Sequence, residues 1–257
     1  MSMREPNGGV SAPDESGHKA PPTAKAGARA SVQGLRIGGF EKLSAVDWPG
    51  HLSAVVFCQG CGWRCGYCHN PHLIPFAEPE VAWEWNDIVA WLGRRRGLLD
   101  GVVFSGGEPT LQPGLCAAME AVRALGFEVG LHTGGPVPEN LAAVLPLVSW
   151  VGFDFKAPFD RYAQVTGHDH GGRARESFEL VRAAGVRCEV RTTWHPRLLS
   201  EEDLVAMGGT LAAAGCTEWV IQRFRAEGCA DGELRAQPVG DVPEAVRTSA
   251  GLKVCVR

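Results

Sequence analysis

The sequence predicts an α/β fold: a partial, laterally open (β/α)6 barrel, with a doubly wound parallel sheet as the alternative. Three observations carry this. Short β-branched and aromatic runs alternate with longer stretches whose apolar residues recur at helical spacing. Glycines follow several of those stretches, where a left-handed C-cap residue is wanted. The first 33 of the 257 residues contain no Leu, Ile, Phe, Trp or Tyr, which leaves 224 for the folded part. A closed eight-unit barrel typically takes about 250 residues.

Taken in order, residues 1–33 are rich in Pro, Gly, Ala and Ser, as in "KAPPTAKAGARAS". Such a stretch buries too little apolar surface to offset its ordering entropy, and it reads as a disordered tail. Residues 34–257 form the domain. Candidate strands are "LSAVVFC" (52–58), "GVVFS" (101–105), "FEVGLH" (127–132), "WVGFDFK" (150–156), "VRCEVRTTW" (186–194), "EWVIQRF" (218–224) and "LKVCV" (252–256). Between them, Trp85, Ile88, Val89 and Leu92 fall at helical spacing, as do Leu115, Met119 and Val122. Ser200 and Asp203 read as an N-cap pair opening a helix that carries Leu204 and Leu211. Gly126, Gly185 and Gly215 are the C-cap candidates. Roughly six βα units follow, joined by right-handed crossovers. The reactive site of such a fold lies at the C-terminal ends of its strands.

Composition excludes several classes. A net charge of −4 gives no electrostatic reason to expect nucleic acid or an anionic membrane as partner. No run of about eighteen apolar residues predicts a membrane span. The N-terminus lacks the apolar core of a secretory signal. Nine cysteines without an export signal favour reduced thiols or metal ligation over a disulfide framework. The cytoplasm is the expected compartment.

Three of those cysteines crowd "CGWRCGYCHNP" (61–71), just after the first predicted strand. Cys61, Cys65 and Cys68 form C-x3-C-x2-C. Structural zinc wants two pairs separated by a dozen or more residues, and no second pair follows. Thioredoxin-like chemistry uses one C-x-x-C and leaves the third thiol without a role. Three thiolates can instead each take a different iron of a cubane cluster, leaving one iron open. Cys58 makes a C-x2-C with Cys61, so a four-cysteine cluster is an alternative; a buried thiol at a strand end is the preferred reading. Cys116, Cys188, Cys216 and Cys255 read as core, and Cys229 has no assignment.

The spacing, with Tyr67 between the last two cysteines, resembles the signature of the radical S-adenosylmethionine (SAM) enzymes. The resemblance implies a TIM-like open barrel of that type. It also implies a [4Fe-4S] cluster on Cys61, Cys65 and Cys68, with SAM chelated to the open iron and Tyr67 beside the adenine. "FSGGEPTLQ" (104–112) matches the family's GGEP motif. There Ser105, Gly106, Gly107 and the region of Glu108 would hold the SAM amino group. "GFDFKAP" (152–158) carries Asp154 and Lys156 at alternate positions, similar to a D-x-K of the glycyl-radical activases that lies near SAM and the path to substrate. The other reading of that pair is a strand-end ion pair. Arg191 suits a carboxylate, Gln222 sits where an adenine contact is available, and His195 reads as a loop cap. "GLHTGG" (130–135) departs from pyruvate formate-lyase activating enzyme. An Asp opens the motif there and binds a monovalent cation, whereas His132 stands here.

A longer stretch narrows the reading. "KLS..D.PG" followed by "QGC..RC.YCHNP" resembles the activating proteins of anaerobic ribonucleoside-triphosphate reductase, as do "DFKAPFDRYAQVTG" and "EVRTTWHP". The implied reaction is reductive cleavage of SAM to a 5′-deoxyadenosyl radical that abstracts hydrogen from a glycine of the reductase. Flavodoxin or ferredoxin would supply the electron. The alternatives are an activase of another glycyl-radical enzyme, of the pyruvate formate-lyase type, or a small-molecule radical SAM enzyme such as a carboxy-deazaguanine synthase. Outside the class stands a non-catalytic metal-binding or electron-transfer module.

Overall fold

The computed structural model describes residues 32–79, 83–248 and 251–257. The expected tail lies outside them except for Val32 and Gln33. Eight strands run in chain order: β1 (Ile37–Ser44), β2 (Ser53–Cys58), β3 (Gly101–Gly106), β4 (Glu128–Thr133), β5 (Trp150–Asp154), β6 (Arg187–Trp194), β7 (Glu218–Arg223) and β8 (Lys253–Val256). They pair in that same order into one sheet. β1 is antiparallel to β2, and every later pairing is parallel. β1 and β8 are the two ends of the sheet, and no pairing joins them among the described residues. The barrel is therefore open laterally.

Six crossovers link the parallel strands. They carry α1 (Trp85–Gly93), α2 (Leu115–Ala124), α3 (Pro138–Val144), the consecutive α4 (Tyr162–Thr166) and α5 (Gly171–Ala184), α6 (Glu201–Ala213), and finally α7 (Gly232–Arg235) with α8 (Glu244–Thr248). The local signals hold. Ser200 and Asp203 make a reciprocal capping box, with Asp203 N–H donating to Ser200 Oγ at 3.2 Å and Ser200 N–H to Asp203 Oδ2 at 2.9 Å. Gly126, Gly185 and Gly215 take φ of 90°, 65° and 73° just past their helices, a region that glycine enters without a Cβ penalty.

One strand was not expected. β1 reads IGGFEKLS, with two glycines and no strict alternation, and Glu41–Leu43 face solvent. It is an edge strand, where pairing to β2 rather than a buried face fixes the conformation. The fourth expected strand also ends early: as β5 it stops at Asp154, so Lys156 stands in the loop beyond it.

Strand alternation divides the core in two. Ala54, Val56, Val102 and Phe104 point outward into the layer between sheet and helices. Val55 and Val103 point inward and pack with Trp48 and Trp150, against which Phe57 leans. Trp48 comes from the β1–β2 connection and plugs the interior, fully buried, its ring stacked on Trp150 at 5.6 Å. Gly101 and Gly130 make room for it, since a Cβ at either would lie 2.8 or 2.9 Å from its ring. Among the described residues no helix is long and apolar enough to cross a membrane.

Candidate active site

Inward positions continue up each strand past the plug. From Val103 the next is Ser105, from Gly130 it is His132, and from Gly152 it is Asp154; Arg191, Thr193 and Gln222 hold the same place on β6 and β7. The ladder sets Asp154 opposite Arg191 and Thr193 opposite Gln222. These six side chains wall a cavity of about 240 Å³ at the C-terminal ends of the strands. Every sequence-predicted site residue lines it: Cys61, Cys65, Tyr67, Cys68, Ser105, Gly106, Gly107, Glu108, Asp154, Lys156, Arg191 and Gln222. Cys58, His195 and Cys229 do not line it.

The cysteine loop closes one side. Its root is tied to the short helical turn Pro71–Leu73, with Gly60 N–H donating to Leu73 O at 2.8 Å and Cys61 N–H to Ile74 O at 3.0 Å. Its middle hangs from α4 through Arg64 N–H to Thr166 O at 2.8 Å. Burial pushes the Cys61 thiol up to about 12 and raises Cys65 and Cys68 in the same direction. All nine cysteines are free thiols. A structural zinc ion needs four donors within roughly 2.3 Å of one point. Among the described residues no three His, Cys, Asp or Glu side chains are placed to hold a single ion. Three separate thiols around one cavity fit a cluster that takes one thiolate per iron. Cys58 is wholly buried, and burial raises its thiol further still.

The glycines of the GGEP stretch answer to the cysteine loop rather than to open space. A Cβ at Gly106, where φ is 106°, would lie 2.4 Å from Cys58 N; one at Gly107 would lie 2.3 Å from Gly60 O. Gly107 N–H donates to Cys58 O at 2.8 Å and Glu108 N–H to Gly60 O at 2.9 Å. Strand end and loop root are thus locked together. The Glu108 carboxylate is almost wholly engaged. Oε1 accepts from Thr110 N–H, Thr110 Oγ1–H and Thr133 Oγ1–H at 3.0, 2.8 and 2.8 Å, and Oε2 from Gly134 N–H at 3.1 Å. Burial pushes its pKa up against these four donors.

The opposite wall is a charge network. Arg191 Nε and Nη2 both donate to Asp154 Oδ1, at 3.0 and 2.8 Å, and Lys156 Nζ lies 3.5 Å from Oδ2. Burial opposes ionisation of Asp154, but Arg191 and Lys156 outweigh it and hold the carboxyl below its usual range. Burial likewise works against the Lys156 ammonium, and its surroundings override it, Tyr67 and Cys65 together with Asp154. The ammonium sits 5.7 and 5.5 Å from the ring centres of Trp63 and Tyr67, a cation–π cradle. Trp63 is itself anchored by its indole N–H to His170 Nδ1 at 3.2 Å.

His132 links this wall to the plug. Its Nδ1 lies 3.1 Å from Ser105 Oγ; its Nε2 lies 2.8 Å from Asp47 O and 3.1 Å from Arg191 Nη1. A carbonyl only accepts and a guanidinium only donates, so one tautomer satisfies one of them. With the proton on Nε2, the ring donates to Asp47 O and leaves Arg191 Nη1 free toward the cavity. Burial and the Arg191 charge drive the His132 pKa down to about 3, so the ring is neutral at pH 7. Sequence reasoning gave no site role to Asp47, Trp63, Thr133, Gly134 and Thr193, which also line the cavity. Inward parity with Arg191 was the signal available for Thr193; Asp47 and Trp63 arrive on loops, which carry no parity.

The sequence profile of the Radical SAM superfamily matches residues 55–207. A Methanocaldococcus jannaschii protein assigned as a glycyl-radical enzyme activating enzyme is 31% identical over 218 residues, covering 79% of this chain and 85% of its own length. The pyruvate formate-lyase-activating enzyme of Clostridium pasteurianum is 34% identical over 176 residues, 65% of this chain and 72% of its own. Among solved structures, QueE from Escherichia coli superposes with a TM-score of 0.52 at 16% identity, over 87% of this chain and 93% of its own. SuiB of Streptococcus suis, solved with S-adenosylmethionine bound, gives 0.57 at 14% identity; the match covers 77% of this chain and 48% of SuiB. At these identities the structural likenesses speak for the fold alone.

Proposed function

Because the chain belongs to the radical SAM superfamily, with activating enzymes of glycyl-radical enzymes as its relatives, we propose that the glycyl-radical partner it activates is an anaerobic ribonucleoside-triphosphate reductase. It is an enzyme of the class that uses a [4Fe-4S] cluster and SAM. The observation that carries the cluster-and-SAM part of the reading is one cavity on which three thiols, the GGEP strand end and an ionised Asp154–Arg191–Lys156 wall converge.

Cys61, Cys65 and Cys68 would hold the cluster. The group, when bound, supplies an electron that splits a carbon–sulfur bond of SAM, giving methionine and a 5′-deoxyadenosyl radical able to take a hydrogen atom from a glycine. The chain's own residues do the rest. An ammonium donates hydrogen bonds, so the amino group of SAM would use carbonyl oxygens of Ser105, Gly106 and Gly107, whose amides are partly spent on the cysteine loop. Glu108 acts on that segment by clasping it to Thr133 and Gly134. Arg191 Nη1 is the donor available to the carboxylate of SAM. Tyr67 and Gln222 flank the adenine. Lys156, held by Tyr67, Trp63 and Asp154, keeps a fixed positive charge where SAM and the glycine meet. Flavodoxin or ferredoxin is the proposed electron donor.

The reductase assignment rests on the "KLS..D.PG" and "QGC..RC.YCHNP" resemblance. A partner of the pyruvate formate-lyase type is the second reading, favoured by the Clostridium relative. The test mixes reduced, iron-reconstituted protein with SAM and each candidate partner in turn. A glycyl-radical EPR doublet on the reductase supports the assignment. A doublet on the formate-lyase alone sinks it, and formation of 5′-deoxyadenosine with no radical on either partner sinks both.

A further inference from the structure

The cysteine loop has a third hold that the superfamily profile, ending at residue 207, does not cover. Resting on the reading that Cys61, Cys65 and Cys68 hold the cluster, we propose that residues 224–234, a strap running from the end of β7 into α7, fix the Cys68 end of that loop, with Gly228 and Cys229 as positioning residues.

The loop's root is held by the turn after it and its middle by α4; the peptide on either side of Cys68 is gripped by the strap. On the near side is Gly66. Its carbonyl accepts a hydrogen bond from Cys229 Sγ at 3.3 Å, and Leu234, buried, packs 3.3 Å from where a Gly66 Cβ would stand. On the far side is His69. Its ring stacks on Phe224 at 5.9 Å and its Nε2 lies 3.0 Å from Arg225 O; the carbonyl only accepts, so Nε2 donates. Gly228 presses against the His69 backbone. A Cβ there would lie 2.5 Å from His69 O, and its φ of 79° disfavours any other residue.

The strap is braced from beneath. Asp231 caps α7 by accepting from Glu233 N–H at 2.9 Å and Leu234 N–H at 3.0 Å. Glu233 pairs with Arg197 at 2.7 Å, tying α7 to the loop after β6. Phe224 N–H donates to Trp194 O at 3.2 Å. Cys229 is buried yet off the cavity, and its thiol is spent on the loop's backbone. That gives a structural reason for a cysteine which the spacing of the other three does not use.

The experiment has two readouts on the full chain. Hydrogen exchange on the iron-free protein reports the loop directly, and release of iron from the reconstituted protein to a ferrous chelator reports its hold on the cluster. Losing one hydrogen bond corresponds to roughly fivefold, so Cys229→Ala should quicken exchange across residues 66–69 and iron release by about that factor. Gly228→Ala should do at least as much. Cys229→Ser, whose hydroxyl still reaches for the Gly66 carbonyl, should stay near wild type. Exchange in β4 should not change in any variant, which separates a local grip from a general loss of stability. Wild-type exchange and release in both alanine variants overturns the proposal, as does iron loss in Cys229→Ser equal to that in Cys229→Ala. If the wild type takes up no iron, the cluster reading fails, and exchange on the iron-free protein still decides whether the strap grips the loop.

Discussion

Glu108 shows how one side chain can serve a site without facing its ligand. Its four donors come from two places, Thr110 in the crossover after β3 and Thr133 with Gly134 at the end of β4, so the carboxylate stitches the ends of β3 and β4. In Glu108→Gln one acceptor oxygen becomes an NH2 that meets an N–H or O–H donor. A buried group left so costs about 1–3 kcal/mol, and denaturant unfolding of the iron-free protein should show a loss of that size. An unchanged midpoint would mean that the four donors do not hold the Glu108 carboxylate. The cysteines separate in the same way by surroundings. Cys58 is wholly buried and off the cavity, whereas Cys61 lines it. Cys58→Ala should keep the iron content of the reconstituted protein, and Cys61→Ala should lose it. The opposite pattern would move Cys58 into the ligand set. The three ligand candidates were legible because their spacing is a covalent fact. The clasp was not, because nothing in "GGEPT" says that Glu108 turns toward Thr133, twenty-five residues on.

At the scale of elements, the β1–β2 connection matters more than its sequence announces. It folds into the barrel from the N-terminal end of β2, sets Trp48 between Trp150 and His51, and presents Asp47 O to His132. Trp48 thereby packs with Val55, Val103 and Trp150 below the cavity, which Asp47 lines. Trp48→Ala would empty the interior, and large-to-small changes of this kind cost about 3–5 kcal/mol. Gly130→Ala drives a methyl to within 2.9 Å of the same ring, and overpacking typically costs about 1–3 kcal/mol. Urea unfolding of both variants checks the order, and a Gly130→Ala loss exceeding that of Trp48→Ala would show that the plug cannot shift at all. The parallel strands were readable from their β-branched runs, because a strand buried on both faces must be apolar throughout. β1 was not, since its outer residues face water and its two glycines leave no apolar alternation to read. Lys156 was placed one element too early for a related reason. Alternation reports which face a residue takes but not where the ladder stops, and here the loop after β5 keeps Lys156 beside Asp154 by charge instead.

For the molecule as a whole, the buried charges at the mouth of the barrel make stability depend on pH. The βα order and the six crossovers could be read from the chain, as could a cavity at the C-terminal strand ends; the net sign of the cavity's electrostatics could not, because it depends on which groups end up within hydrogen-bond reach. His132 is the clearest contributor. Unfolded, it titrates near 6.5; folded, burial and Arg191 lower it to about 3. Between those values the unfolded chain binds a proton that the folded chain refuses, so stability is full above about pH 6.5 and falls as the solution is acidified toward pH 3. His69, lowered by burial, and Asp154, lowered because Arg191 and Lys156 outweigh its burial, act with the same sign. Glu108 acts against them, because burial raises its carboxyl and acid therefore favours the folded form. Replacing His132 by Gln keeps an N–H donor for Asp47 O and removes the titration. Unfolding free energies measured at about pH 7.5 and about pH 5 should fall less in His132→Gln than in the wild type, with the difference accumulating below the unfolded histidine's pKa. Equal losses in the two proteins would show that His132 takes up its proton while folded, and that Arg191 does not hold the ring neutral.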